Sequence, residues 1–238
     1  LVNKWTNINQ LRNVALWLPP VCVLCGDAGA QGRDLCSPCR HDLPWSDFGC
    51  ARCGLPLSGF AARQALCGQC QTRPPAFERC LAPFRYEPPL DRLLQRLKFQ
   101  GRLEMARLLG SAMADWLLAN AAVSAPDHLI PVPLHAARLR ERGFNQALEL
   151  ARPIARRLGV RPDTQSCRRI QATAPQSDLS RKARRKNIKG AFEVVRPVRG
   201  EVVIVDDVMT TGSTAHELAK TLLRAGAERV SVWVCARA

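Results

Sequence analysis

Long apolar runs are missing from this chain. Nowhere in its 238 residues does an uninterrupted apolar stretch approach the roughly 18 residues that a membrane-spanning helix requires, which excludes a transmembrane protein. Apolar residues are nonetheless too plentiful for a disordered tail, at 47% of the chain with 23% charged. Acidic residues are the scarce class, 20 against 35 Lys and Arg, which leaves a net charge of +15. That deficit is local. Residues 129–200 carry 17 of the 35 basic side chains and a net +12, so the anion this protein handles is expected there and not over the whole surface. Aromatic residues are sparse in the same stretch, where Phe144 and Phe192 are the only two. Without stacking platforms, sequence-specific reading of bases is disfavoured, and any contact with single-stranded DNA is expected to be electrostatic.

Cysteine, by contrast, is abundant. Eight of the eleven fall into four Cys-x-x-Cys pairs before residue 71. Cys22–Cys25 and Cys50–Cys53 are each followed by glycine, the form of a metal knuckle whose backbone amides turn toward thiolate sulfur. Cys36–Cys39 follows the first after ten residues, and Cys67–Cys70 follows the second after thirteen. Redox disulfide motifs occur singly beside a βαβ unit, so four in fifty residues read as structural Zn²⁺, two ions with four thiolates each. The spacing fits two tandem ribbons and leaves open an interleaved pairing of the first knuckle with the third. Cys80, Cys167 and Cys235 have no such partners, and His41 lies near Cys39 beside an already complete ligand set. Lys4, Arg12 and the apolar patch 14–18 have the outline of a weak signal peptide. Pro19-Pro20 breaks it with no small-residue cleavage site, so a cytoplasmic protein with reduced thiols is expected.

Residues 22–70 keep no periodicity long enough to bury a core. From Ala76 onward strands and helices alternate: a strand over 79–86, a helical stretch 90–118 interrupted near Gly101, and a strand at 129–132. A helix over 146–158 follows, with a break expected at Pro153, then strands at 191–195 and 202–205. A helix over 213–225 and a last strand at 230–235 close the chain. This alternation predicts a mostly parallel α/β sheet, with the boundary near Arg73-Pro74-Pro75 dividing a cysteine module, 1–75, from an α/β domain, 76–238. Residues 161–189, basic and poor in apolar period, are expected to be a mobile loop.

The most informative stretch runs from Val202 to Thr214. Four β-branched residues deliver Asp206 and Asp207, and Thr210-Thr211-Gly212-Ser213-Thr214 then opens a helix. Ligands of open α/β sheets bind at the carboxyl edge. The turn offers backbone N–H groups, hydroxyls and a helix N-terminus, which suit a phosphate monoester. Two carboxylates repel phosphate and instead suit a diol or a divalent cation.

This stretch resembles the 5-phosphoribosyl diphosphate (PRPP) motif of type I phosphoribosyltransferases. Pro131-Val-Pro133-Leu134-His135, Arg138-Leu-Arg-Glu-Arg142-Gly143-Phe144-Asn145-Gln146, Thr173-x-x-Gln176-x-x-Leu179 with Arg184-x-x-Asn187, Ala191-Phe192, and Leu97-Lys98-Phe99 are similar to the signature of the ComF/GntX family. The resemblance implies a type I phosphoribosyltransferase-like parallel sheet flanked by helices, behind a double zinc ribbon. It also implies a role in uptake or nutritional use of external DNA, with DNA-uptake proteins such as an ATPase as partners. By the same resemblance, Asp206 and Asp207 hold the ribose hydroxyls, directly or through Mg²⁺, and Thr210, Thr211, Gly212, Ser213 and Thr214 hold the 5-phosphate. Pro133, Leu134 and His135 form the pyrophosphate loop, while Arg138, Arg142, Arg184 and Lys98 neutralise the leaving group, with the segment 168–189 closing over the site. Asp206, Asp207 and Arg184 would be the catalytic set. Enzymes acting on 6-oxopurines often carry an aspartate where this chain has Thr210, which disfavours that substrate class. An amidophosphoribosyltransferase is disfavoured too, because its glutaminase needs an amino-terminal cysteine where this chain has Leu1. A non-catalytic accessory protein that binds PRPP or a nucleotide, contacting single-stranded DNA through Arg181–Lys186, is the second reading.

Overall fold

The computed structural model describes residues 19–46, 49–57, 65–121, 123–172 and 188–238. Lys4, Arg12 and residues 14–18 lie outside them, as do Thr173, Gln176, Leu179, Arg181–Lys186, Arg184 among them, and Asn187. The chain divides into two compact units, 1–43 and 44–238, so the second cysteine group belongs to the same unit as the sheet.

In the first unit, Cys22 N–H donates to Asp27 O and Gly26 N–H to Cys22 O, closing a knuckle, and helix α1 (Ser37–His41) starts at Cys36. The second unit repeats this plan. Gly54 N–H donates to Cys50 O, Cys50 N–H to Leu55 O, and helix α2 (Gly68–Thr72) starts at Cys67.

The rest of the second unit is an α/β layer structure. In chain order it comprises β1 (Cys80–Leu81), β2 (Phe84–Arg85), α3 (Leu90–Gln100), α4 (Leu103–Asn120), β3 (His128–Pro131), α5 (Ala136–Arg142) and α6 (Gln146–Leu158). β4 (Cys167–Arg169), β5 (Phe192–Val194), β6 (Glu201–Met209), α7 (Ser213–Arg224) and β7 (Arg229–Arg237) complete it. The main sheet has the order β1-β7-β6-β3, with β2 also on β7, and every pairing in it is parallel. Val202–Val205 at its centre are 0–1% exposed. Such an unbroken apolar run is what a strand covered on both faces requires, each side chain contributing roughly 1.5–3 kcal/mol by burial. Helices α4 and α6 pack together, with α6 against β3 and β6, while α7 packs on β5, β6 and β7.

Gly101, in the left-handed region at φ +66°, separates α3 from α4 at the expected interruption. Two expectations are corrected. Pro153 does not break its helix, because α6 runs through it. The proline ring is packed against Gly110 of α4, where a Cβ would come within 2.9 Å of Pro153 Cγ and 2.6 Å of Leu150 O. Tertiary packing there outweighs the intrinsic cost of an internal proline, about 3 kcal/mol. Nor is the segment 161–172 a structureless loop. Pro162 bridges beside Leu129, Asp163 Oδ1 accepts from the N–H groups of Gln165 and Ser166 at 3.0 Å, and β4 pairs antiparallel with β5 away from the main sheet. Side-chain-to-backbone bonds of this kind leave no apolar period in the sequence. The seven-residue helix α5 also escapes the periodicity, since none of its residues is buried.

Candidate functional site

Each cysteine group converges into its own cluster, Cys22, Cys25, Cys36 and Cys39 in one and Cys50, Cys53, Cys67 and Cys70 in the other, with sulfur atoms all within 4.8 Å. This is the tandem arrangement. The Sγ separations of 3.6 Å for Cys25–Cys36 and 3.7 Å for Cys53–Cys67 match the edge of a tetrahedron with metal–sulfur bonds of about 2.3 Å, the geometry of zinc thiolates. Burial pushes the Cys22 and Cys50 thiols up, but backbone N–H groups, among them those of Cys25 and Cys36 for the first and Cys53 and Cys67 for the second, overcome it and bring each down to about 6. One thiolate in each cluster is thus poised near neutral pH. All four positions are protein sulfur, so these are the two structural four-cysteine sites of a double zinc ribbon. His41 is almost fully exposed beside Asp42 and outside the cluster. Cys80, Cys167 and Cys235 are buried thiols, and desolvation is the leading cause that holds each above its ordinary value.

The second concentration of chemistry is at the carboxyl end of β6. Because β3 lies beside β6 in register, Pro131 opposite Val205, and Val132 N–H donates to Val205 O at 2.9 Å, the Pro133-Leu134-His135 loop emerges next to Asp206 and Asp207. His135 caps α5, its Nδ1 accepting from Ala137 N–H, and Asn145 caps α6 while its Nδ2 donates to Val132 O at 3.1 Å. The loop is therefore fixed at both ends.

Lys98, from the last turn of α3, places Nζ 2.6 Å from Asp207 Oδ2, both side chains being largely buried. Burial opposes the ammonium, yet Asp207, helped by Asp206, holds the Lys98 pKa above its ordinary value. Desolvation and the adjacent Asp207 push the Asp206 carboxyl well up, and Lys98 only partly opposes this. Arg142 is lowered by burial and by Arg138, and the charge of Asp207 pulls it back. Arg138 itself pairs with Glu141 at 2.8 Å. Thus Lys98 joins Asp206 and Asp207, Arg142 donates to Gln146 within electrostatic reach of Asp207, Arg138 is turned to a surface acid, and Arg184 lies outside the described residues. Arg169 of β4 joins the group without any sequence signal. Its guanidinium lies 5.8 Å from the Phe192 ring centroid and within electrostatic reach of Asp206.

Beyond β6 the chain turns through Thr210–Gly212 into α7. Gly212 sits at φ +71°, a conformation that L side chains rarely adopt, and Thr211 Oγ1 lies 2.9 Å from Ser213 Oγ. Thr214 is in the first turn of α7. Behind this turn is Arg237, 5% exposed. Its Nη1 donates to Met209 O at 2.7 Å and Thr210 O at 2.5 Å, and its Nε to Cys53 O at 3.0 Å. A cavity of about 350 Å³ opens beside it, lined by Leu55, Phe77, Thr211, His216, Lys220 and Arg237 among others. The only trace of Arg237 in the sequence is a charge ending the apolar run 232–236, and its partner Cys53 is 184 residues away.

Among the described residues, no helix is long and apolar enough to cross a membrane. A double zinc ribbon domain matches residues 14–71. Over most of its length the chain is similar to curated proteins. It is 40% identical to the DNA utilization protein YhgH of Salmonella typhimurium, over 93% of this chain and 99% of that protein. It is 35% identical to competence protein F of Haemophilus influenzae, over 91% and 96%. It is 26% identical to competence protein ComFC of Bacillus subtilis, over 87% and 90%. With a double zinc ribbon ahead of a mostly parallel sheet and this extent of identity, the chain belongs to the ComF/GntX family, that of YhgH and competence proteins F and ComFC.

Proposed function

We propose that the carboxyl edge of β6 binds a 5-phosphorylated ribose compound, PRPP or a nucleotide, and that the protein serves the uptake or nutritional use of external DNA. The observation that carries the first half is the junction of Asp206 and Asp207 with the turn 210–214. Hard carboxylate oxygens suit a sugar diol or Mg²⁺, and a turn in which the Thr211 and Ser213 hydroxyls meet at 2.9 Å, with a twelve-residue helix behind it, suits a phosphate monoester. Magnesium bound with the ligand would add positive charge at the pyrophosphate. Lys98 lies against Asp207, and Arg142 and Arg169 are within electrostatic reach of the carboxylates, so a pyrophosphate leaving group would depart into positive potential, and stabilising that developing charge is the largest contribution the protein can make. The reaction class is transfer of phosphoribosyl to or from a nitrogen acceptor. The second half rests on the relatives, whose names specify DNA utilization and competence.

The test is incubation with PRPP, Mg²⁺ and a panel of nitrogen acceptors while pyrophosphate is monitored. Release above that of an Asp206→Asn/Asp207→Asn variant is expected. Binding of PRPP without release above that control would leave a ligand-binding accessory protein instead. The relatives' names and the basic stretch favour that second reading, with single-stranded DNA and an uptake ATPase as partners.

A further inference from the structure

We propose that Arg237 is a positioning residue through which the second four-cysteine site sets the conformation of the turn 209–213. A guanidinium is a rigid planar fork, so the groups it bridges are held in fixed relation. Here the fork joins the carbonyl of a zinc-knuckle cysteine, Cys53, to two consecutive carbonyls, Met209 and Thr210, where β6 ends and the turn begins, and Nη1 also donates to Ala238 O. Two further approaches brace the same junction. Ala76 N–H donates to His216 Nδ1 of α7 at 3.0 Å, and the backbone of Gly54 passes so close to Cys80 that a Cβ there would lie 3.2 Å from its carbonyl oxygen.

The cavity beside Arg237 is lined on one side by Cys53, Cys67 and Cys70 and on the other by Met209 and Thr211, and Arg237, which also lines it, is hydrogen-bonded to both sides. The orientation of the Cys53 carbonyl depends on the knuckle, and four thiolates closing on one metal fix the knuckle. Loss of that metal frees the anchor of Arg237 and loosens the turn. Linkage is reciprocal, so a phosphate ligand on the turn must in return retain the second metal. Only this ligand effect rests on the reading of the turn as a phosphate cradle, whereas the effect on the backbone does not.

The experiment is hydrogen exchange on the full zinc-loaded chain, comparing wild type, Arg237→Lys, Cys67→Ser and Cys36→Ser. Arg237→Lys keeps the charge and loses the fork. It is expected to hold two zinc ions and to raise exchange of the amides 209–213 about tenfold, as follows from removing one or two charge-assisted bonds, while 230–235 exchange as in wild type. Cys67→Ser, which removes a ligand of the second metal, should loosen the same amides, and Cys36→Ser, at the other cluster, should not. Equal loosening of 209–213 and 230–235 in Arg237→Lys marks a general structural role and overturns the proposal, as does an unchanged turn. A second arm follows zinc transfer to a chromogenic chelator with and without ribose 5-phosphate. One of the two zinc equivalents should leave severalfold more slowly with ligand in wild type and show no such protection in Arg237→Lys. Ribose 5-phosphate that binds without slowing either equivalent overturns the coupling. Ribose 5-phosphate that does not bind overturns the phosphate reading alone, and the exchange arm still decides the role of Arg237.

Discussion

Asp206 and Asp207 are neighbours in sequence with unlike surroundings, since Lys98 lies against Asp207 at 2.6 Å while desolvation and the charge of Asp207 raise Asp206. A carboxyl raised in the folded state binds a proton there that it would release on unfolding, so its contribution is favourable below the ordinary carboxylate range. That contribution is lost as pH rises through the folded-state value. Replacing Asp206 with asparagine removes that slope. Asp206→Asn is expected to flatten the decline of melting temperature between pH 5 and 8 and to raise the midpoint at the upper end by about 3 °C, which roughly 1 kcal/mol gives in a chain of this size. An unchanged pH profile by calorimetry would count against the desolvated pair. Lys98→Met has the opposite sign. It strands the buried Asp207 charge and should cost about 2 kcal/mol, less than the 3–5 typical of fully buried pairs because the Lys98 side chain keeps 22% of its exposure. Denaturant unfolding of Lys98→Met beside Lys98→Met/Asp207→Asn checks it, since the second change should restore much of the stability.

At the scale of elements, helix α6 tolerates Pro153 because α4 presents no side chain where the two cross. Gly110 is therefore a packing residue whose replacement drives a methyl into Leu150 O and the Pro153 ring. Gly110→Ala gains helix propensity, roughly 1 kcal/mol, but overpacking of this kind costs about 1–3 kcal/mol, so a net destabilisation is expected, read as a lower thermal midpoint. A midpoint above wild type would mean that the helices part without penalty. The same crossing shows what the sequence could and could not convey. The Val202–Val205 strand, the split at Gly101 and the start of α6 at Gln146 are written in local chemistry and stand where they were expected. The continuity of α6 through Pro153 depends on a glycine forty-three positions away, and the β4–β5 pair depends on side-chain bonds to backbone, so neither leaves a periodic trace. The cysteine clusters were legible because ligand spacing is itself local. Arg169 and Arg237 were not, because each acquires its role only when distant strands meet.

For the molecule as a whole, the net charge of +15 is partly compensated within the fold. Arg138, Arg152, Arg157 and Arg168 of the basic stretch each pair with a carboxylate, from Glu141, Glu149, Asp115 and Glu193 respectively. Lys98 pairs with Asp207, and Arg142 and Arg169 lie within electrostatic reach of the two carboxylates. The densest basic block in the sequence is Arg181, Lys182, Arg184, Arg185 and Lys186. A strand of DNA held by that block and a ribose phosphate held at β6 would share at most Arg184, so the two activities should largely separate. Neutralising all five basic residues to glutamine is expected to weaken binding of single-stranded oligonucleotides of any sequence. It should also flatten the log–log dependence on salt by up to about 3.5, at roughly 0.7 for each phosphate that is no longer neutralised. Asp206→Asn/Asp207→Asn, which removes negative charge from another place, should leave that salt slope as in wild type while abolishing PRPP binding. Titrations at several salt concentrations decide it. If the carboxylate variant changes the slope as much as the five neutralisations do, DNA and PRPP compete for one site, and the positive potential around Asp206 and Asp207 serves the polynucleotide backbone as well as the small ligand.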